Sequence, residues 1–402
     1  MKQEEQYNFF YSIKYAIFIV LFVFFRPNSI VFWSVSFLLP LLLWGSKDIM
    51  QKIHKKPKVF RQCLWYYLVF CAFVIIRGLL SSNPLIPLTR AASMLTIMVT
   101  VVCFFADIDN LSKFRNMMLG LVIGVDVLIL YCFLFTRNGV TFDLTYDENL
   151  IGNKNTLGNY LFLGIVPNVL LLETKSTKLW TVLLYLNLLV IVISIAMSLS
   201  FKIMLVAVLC IGIFFIIKVI KEKRTSLALI VAGIVFLSVP LALDFLDSEG
   251  GAIIKDRFYI LTGQEDKATV QLGFLEERED LSRQTYSLFK ENPIFGVGLE
   301  VTRDIFEIYS HNTFMEVLAG GGIILMIPFA LMLLCFLMPM IKRRCWLSIV
   351  FYACVIFIAN GIKIYDTHTI MLVLFISLYY ALFQPLKKAQ NNTTPVLTTQ
   401  AI

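Results

Sequence analysis

The sequence has few charged residues and few histidines for its length. Only 15% of its 402 residues are charged, 58% are hydrophobic, and three are histidine. Because soluble domains carry about a quarter charged residues, this composition excludes an ordinary soluble fold. Apolar runs of about 17 to 25 residues, the length that crosses a bilayer core, recur from end to end. The chain is therefore predicted to be an all-α polytopic membrane protein.

The sequence also lacks any cysteine pattern typical of a metal or redox site. Its eight cysteines are scattered singly, nearly all inside predicted spans, with no CxxC or CxxxH spacing. Buried single cysteines mostly behave as small hydrophobic residues, so we expect neither disulfides nor metal–thiolate sites. A convincing signal peptide is missing as well, because Glu4 and Glu5 interrupt the basic start and no small-residue cleavage site follows. The N-terminus is predicted to be the first membrane anchor.

Hydrophobic segments predict about twelve transmembrane helices, interrupted by two polar gaps at 137–155 and 244–312. The predicted spans are 9–25, 29–45, 62–80, 88–106, 117–136, 156–174, 179–197, 201–220, 226–243, 313–341, 345–362 and 368–384. This divides the chain into 1–243 with nine helices, the loop 244–312, 313–384 with three helices, and a polar tail, 385–402, expected to be disordered.

Lysine and arginine predict the orientation of these helices. Most of the 35 basic residues lie in one alternating set of short loops. By the positive-inside rule both termini are cytoplasmic, and both polar gaps face outward. The same distribution accounts for the formal charge of +8 and argues against a nucleic-acid partner.

The large outer loop is predicted to fold as a small helical cap. In "EEREDLSRQTYSLFKE" an apolar stripe of Leu281, Tyr286, Leu288 and Phe289 has helical spacing, and "NPIFGVG" then ends the helix. Long loops inside a compact protein are usually functional, so we expect the active site here.

One of the three histidines lies where the loop turns into an apolar helix, in "YSHNTFMEVLAGGG". Ser310 or Asn312 can cap this helix, which places His311 at its N-terminus. There the helix dipole disfavours a protonated ring, and free backbone N–H groups suit a phosphate. The alternative is an interfacial histidine that hydrogen-bonds to a loop carbonyl. The glycine triplet 320–322 is expected to let a neighbouring helix or a lipid tail approach closely.

Taken together, "RQTYSLFKENPIFGVGLE", "SHNTFMEVLAGGGIIL" and "IGNKNTLGNYLFLGIVP" resemble the O-antigen ligase and O-antigen polymerase superfamily of membrane glycosyltransferases. The resemblance implies a GT-C-like layout in the bacterial cytoplasmic (inner) membrane, with the active site on its outer face. It also implies inverting glycosyl transfer from an undecaprenyl-diphosphate-linked oligosaccharide to a glycan acceptor, with no metal, nucleotide or other cofactor. Membrane lipid and a chain-length regulator protein are the further partners considered.

The resemblance assigns the chemistry to two residues. His311 would be the general base that activates a sugar hydroxyl, and Arg283 would clamp the departing diphosphate. The alternative for Arg283 is a salt bridge to Glu279 or Asp280 on its own helix. The family commonly has an arginine at the outer start of a middle helix, where this chain has Phe201 followed by Lys202. Lys202 is either the substitute or a residue that only anchors the helix end.

Five further residues are candidates for binding the diphosphate or the glycan. They are Arg257, Arg90, Asn312, Asn153 and Asn155. Helix-end anchoring for Arg90 and helix capping for the asparagines are the alternatives. For the whole chain, a polymerase of O-antigen or capsular type is the leading hypothesis. A ligase that moves the glycan to lipid A-core and a lipid-linked glycan transporter remain as alternatives.

Overall fold

The structure is a computed structural model that describes residues 9–24, 29–45, 47–81, 83–139, 141–142, 154–174, 177–222, 259, 273–300, 305–306, 312–365 and 367–384. Its helices are α1 Phe9–Phe24, α2 Ser29–Trp44, α3 Ile49–His54, α4 Lys58–Leu79, α5 Leu85–Ala106, α6 Leu111–Tyr131, α7 Lys154–Glu173, α8 Lys178–Met197, α9 Phe201–Glu222, α10 Gly273–Glu291, α11 Thr313–Lys342, α12 Trp346–Ala359 and α13 His368–Phe383. After α6 come a π-helical turn, Cys132–Thr136, and a hairpin of β1 Arg137–Asn138 and β2 Thr141–Phe142, in which Arg137 pairs with Phe142.

The described helices confirm an all-α membrane protein in its coarse outline. Seven of them are long and apolar enough to cross a bilayer, and four shorter apolar helices accompany them. Of the predicted spans, 226–243 and much of the large loop lie outside the described residues, so the count of twelve stays a prediction. Each of the other predicted spans coincides with a described apolar helix. The two agree because a helix in lipid needs a continuous apolar run, which the sequence shows directly.

The chain divides into two compact units, the first formed by Met1–Gly124 with Leu281–Ile402. In this unit α4 packs against α5 and α11, and α13 packs against α11 and α12. Aromatic rings fill the centre: Phe60 contacts Phe105, Phe375 and Tyr379 at centroid distances of 5.4 to 5.7 Å. Two cysteines distant in sequence meet between α4 and α11, where Cys63 Sγ lies 3.1 Å from Cys335 Sγ as a thiol contact.

The second unit, Val125–Asp280, is built around α7. This helix packs against α8 and α9 and is the most buried of the candidate spans. Polar side chains connect its helices: Asn168 Nδ2 donates to Asn187 Oδ1 at 2.5 Å, and Asn187 Nδ2 donates to Asp126 Oδ1 at 2.6 Å. Such a chain satisfies polar groups that would otherwise be costly among apolar helices.

Charged residues separate to the two ends of α5 in the first unit. At its C-terminal end Asp107 contacts Lys52, with Nζ to Oδ1 at 2.7 Å, and Lys14, with Nζ to Oδ2 at 3.6 Å. Near its N-terminal end lies Arg90, whose partners are described below. The lysines predicted to be cytoplasmic thus collect at one end of the helix. Which compartment each end faces stays a prediction.

Replacing Asp107 with asparagine should destabilise the first unit by about 1 kcal/mol, the usual upper value for a partly exposed ion pair. Burial would raise the pKa of Asp107, but the hydrogen bond and charge of Lys52 outweigh it and hold the pKa below its usual value. A carboxylate with a depressed pKa stabilises the fold at neutral pH and loses that contribution as the pH falls through its folded value. The difference in thermal-unfolding midpoint between wild type and Asp107→Asn should therefore begin to shrink below about pH 4 and vanish only below the folded pKa of Asp107.

The exposed Asp48 provides the control for this measurement, since no side-chain cap hydrogen bond links it to α3. Asp48→Asn should leave the midpoint unchanged at neutral pH. A gap between wild type and Asp107→Asn that persists in acid would contradict the ion-pair explanation.

Candidate functional site

The glycine triplet of α11 is a break in the helix. Gly322 has φ 60° and ψ −160°, which no helix contains. The turn that follows α10 docks at this break: Val297 N donates to Ala319 O at 2.9 Å, and Gly298 N donates to Gly320 O at 2.7 Å. The expectation that the triplet admits a helix or a lipid tail is wrong. The close approach is made by the backbone of the loop.

Backbone contact across this break requires glycine on both sides. Gly296 has φ +64°, and a Cβ there would lie 2.5 Å from Ala319 O. A Cβ on Gly320 would lie 2.7 Å from Leu299 Cα. On the far side of the break Ile323 N donates to Pro293 O at 2.9 Å. The turn therefore pairs with the peptide groups that the interrupted helix leaves without helical partners.

Gly322→Ala should destabilise the protein by at least about 1–3 kcal/mol, the cost of an L-residue in this region of backbone space. The added Cβ would also meet the backbone of Ile294, which cannot move without breaking the docked turn. We expect a lower thermal-unfolding midpoint in detergent for this variant. Gly212→Ala in α9 is the matched control, because nothing lies within 4 Å of its Cβ position and alanine favours a helix by about 1 kcal/mol. Equal midpoints for the two variants would contradict the assigned backbone constraint.

A buried carboxylate connects three segments beside the docked turn. Glu300 is fully buried with φ +65°. Its Oε2 lies 2.6 Å from Arg90 Nε of α5, and its Oε1 lies 2.5 Å from Lys363 Nζ in the segment before α13. A second arginine, Arg77 of α4, donates to Phe295 O and Gly296 O, both at 2.6 Å. The turn is thus held from α4, from α5 and from the segment that contains Lys363.

Arg90, a candidate for substrate binding, forms an ion pair with Glu300 instead of only anchoring a helix end. Its role toward a substrate stays a prediction. Sequence reasoning missed Glu300 and Lys363 altogether. The only signal for them was a carboxylate two residues after the Gly-x-Gly turn and a lysine in the polar break "NGIKIYD" between two apolar runs.

The start of α11 is fixed by Asn312, one of the two residues predicted as possible caps. Its Oδ1 accepts from Phe314 N at 2.9 Å and from Met315 N at 3.2 Å. Thr313 Oγ1 donates to Ile362 O and accepts from Ile364 N, so the segment that contains Lys363 also packs on this helix start. The capping interpretation of Asn312 is therefore the one the structure supports. Two of the N–H groups expected to be free for a phosphate are occupied by this cap.

Arg283 lies on α10, the predicted loop helix, which ends at Glu291. The apolar stripe is only partly buried: Leu281 is 6% exposed, whereas Tyr286 is 45% exposed. Thr285, which was not predicted to face inward, is fully buried and donates to Leu281 O at 2.6 Å. Arg283 lies on the exposed side of the helix, and its role toward the diphosphate stays a prediction.

Lys202 and Asn155 both lie in the second unit. Helix α9 begins at Phe201, so Lys202 is its second residue, and whether Lys202 replaces the family arginine stays a prediction. Asn155, in the first turn of α7, accepts from Ser200 Oγ at 3.3 Å. This contact ties the start of α7 to the residue that precedes α9.

Three predicted site residues, His311, Arg257 and Asn153, lie outside the described residues. His311 directly precedes the Asn312 cap in the chain. Among the residues that the structure describes, no cluster of three or more His, Cys, Asp or Glu side chains could hold a metal ion.

Part of the chain, including the docked turn, matches a known protein family. Residues 186–330 match the family model described as O-antigen ligase, a range that includes α9, α10, the docked turn and the broken part of α11. A comparison with curated proteins found no matching relative. With the apolar helices, the match supports a membrane enzyme that transfers glycans. The match confirms the resemblance found in the sequence, since residues 186–330 are similar to the O-antigen ligase family.

Proposed function

We propose that the chain is a polysaccharide polymerase of O-antigen or capsular type. It transfers a glycan from undecaprenyl diphosphate to a sugar hydroxyl of another lipid-linked repeat unit at the outer face of the bacterial cytoplasmic membrane. The observation that supports this proposal is the family match, whose segment contains the docked turn and the start of α11. A turn anchored by backbone pairing and buried charge is the kind of rigid support that a reacting site needs.

In this mechanism His311 is the general base. The acceptor hydroxyl attacks the anomeric carbon, its proton passes to His311, and the bond from that carbon to the diphosphate oxygen breaks. Inversion follows from attack opposite the leaving group. His311 adjoins the capped N-terminus of α11, where the helix dipole disfavours imidazolium and so keeps the ring able to accept a proton. No metal ion is needed if cationic side chains compensate the charge of the diphosphate.

Arg283 supplies that compensation in the proposal. A guanidinium matches two phosphate oxygens at once and stays protonated at any working pH. Arg283→Ala should lower turnover about 10²- to 10³-fold, the loss typical of one group that stabilises developing charge. Lys290→Ala is the matched control on the same helix, since Lys290 is exposed and lies 4.7 Å from the Tyr286 ring. The measurement is the steady-state rate of each variant at saturating donor. Equal rates for the two variants would exclude Arg283 from the mechanism.

The proposed function is tested with purified protein in lipid and an undecaprenyl-diphosphate-linked repeat unit, with product length read on a gel. A ladder of products would support the polymerase. Transfer that occurs only when lipid A-core is added would make the protein a ligase instead. No transfer to either acceptor, together with movement of the lipid-linked glycan across the bilayer, would support the transporter alternative and overturn the proposal.

A further inference from the structure

Two cavities open at the end of the first unit where Asp107 and its lysines lie. The first has a volume of about 230 Å³ and is lined by Lys55, Lys56 and the apolar residues Ile108 and Phe383, among others. The second, of about 290 Å³, is lined among others by Lys342, Arg343, Met338 and Pro339. Leu382 lines both cavities, so they adjoin each other at this residue, and we refer to the pair as the two lobes of a groove.

Each lobe combines cationic and apolar walls. In the first lobe Lys56 is only 8% exposed, and its Nζ donates to Ile108 O at 2.5 Å. Burial lowers the pKa of Lys56 to about 8, so the side chain is still mainly protonated at neutral pH. In the second lobe Arg343 Nη1 donates to Leu382 O at 3.0 Å and to Gln384 O at 2.6 Å. Both cations are therefore held in fixed positions at the groove.

The charge of the groove is positive on balance. The carboxylate that lines it is Asp109, in the first lobe, and Lys113 Nζ lies 2.7 Å from its Oδ2. Among the described residues that line the groove, four cations thus face one acid that already has a partner. The positive-inside rule explains why basic residues lie in these loops. It explains neither the cavities between the helices nor the burial of Lys56.

We propose that this groove binds an anionic phospholipid of the surrounding membrane. The phosphodiester head lies between the cations of the two lobes, and an acyl chain follows the apolar wall of Leu382, Met338 and Phe383. Basic pockets between membrane helices are suited to such headgroups, because the phosphate oxygens replace water around cations that burial has partly desolvated. The site lies at the opposite end of α5 from Glu300, so it does not depend on the proposed glycan chemistry.

The test measures binding of fluorescent phosphatidylglycerol to the purified full-length protein in neutral detergent micelles. The test variant is Lys55→Gln with Lys342→Gln, because both lysines are exposed and each lines one lobe. Lys47→Gln with Lys58→Gln is the matched control: it removes the same charge at the same end from exposed lysines that line neither lobe. We expect the test variant to bind about 30-fold more weakly than wild type, and the control to bind within about twofold of wild type.

Three results would overturn the proposal. If both double variants weakened phosphatidylglycerol binding equally, general surface charge rather than the groove would explain the effect. Equal binding of zwitterionic phosphatidylcholine by wild type would show that the net negative charge of the headgroup does not matter. Full competition by soluble glycerol 3-phosphate at the concentration of the lipid would make the groove a site for a free anion rather than a membrane lipid.

Discussion

His311→Ala should lower glycan transfer about 10²- to 10⁴-fold, the contribution typical of a positioned general base. A sugar hydroxyl is a weak nucleophile, and without a proton acceptor it attacks the anomeric carbon only slowly. Binding of the lipid-linked donor should change little, since the base acts on the acceptor. The expected result is therefore a large fall in kcat with a nearly constant KM, measured as the rate of ladder formation by the variant in lipid.

The chain provides its own control for this prediction. His54 is exposed at the end of α3, where its Nδ1 lies 3.5 Å from Arg61 Nη1. His54→Ala should keep the full rate. Both variants should insert into the membrane at wild-type level, because neither residue lies within an apolar span. A well-inserted His311→Ala protein that makes normal product would remove the general base from the mechanism.

Glu300→Ala should destabilise the protein by roughly 3–5 kcal/mol, the range found when one partner of a buried ion pair is removed. Arg90 and Lys363 are 30% and 14% exposed at their side chains, so both cations would lose this carboxylate in a partly dry environment. The docked turn would also lose its connection to α5 and to the segment before α13. We expect a lower thermal-unfolding midpoint and faster cleavage by trypsin between α10 and α11.

Two further substitutions separate charge from backbone strain at this position. Glu300→Gln keeps the shape and removes the charge, and it should reproduce most of the loss. Glu300→Gly also removes the carboxylate but suits the φ of +65°, so it should be more stable than Glu300→Ala by about 1 kcal/mol. A Glu300→Gln protein as stable as wild type would show that the two ion pairs contribute no stability.

Sequence reasoning succeeded where the information is local. A bilayer requires continuous apolar segments with all backbone groups paired internally, so composition alone locates helices such as α5, α8 and α9 to within a few residues. Capping is equally local: the amide oxygen of Asn312 accepts from the backbone N–H groups two and three residues later, and the sequence predicted a helix start here. The family motifs are also continuous stretches; the family match at 186–330 contains the two that lie at 283–300 and 310–325, whereas the stretch 151–167 lies outside it.

The tertiary structure decided which distant groups meet. Gly320 to Gly322 suit a close approach by helix, lipid or loop alike, and only the fold shows that the turn 293–299 docks there and that α11 is broken. Pairing between distant segments depends on how helices pack, which hydropathy does not encode.

Glu300 shows the same limit for charge. By sequence it is one of 27 acidic residues, in a loop rich in charges of both signs, and nothing local distinguishes it from its neighbours. Its burial follows from the docked turn, and its partners Arg90 and Lys363 lie 210 and 63 positions away in the chain. The sequence by itself determined the membrane class, the helices and the family segment. Packing decided which residues hold the docked turn of the candidate site in place. An ion pair between distant segments forms only when the fold removes both charges from water together.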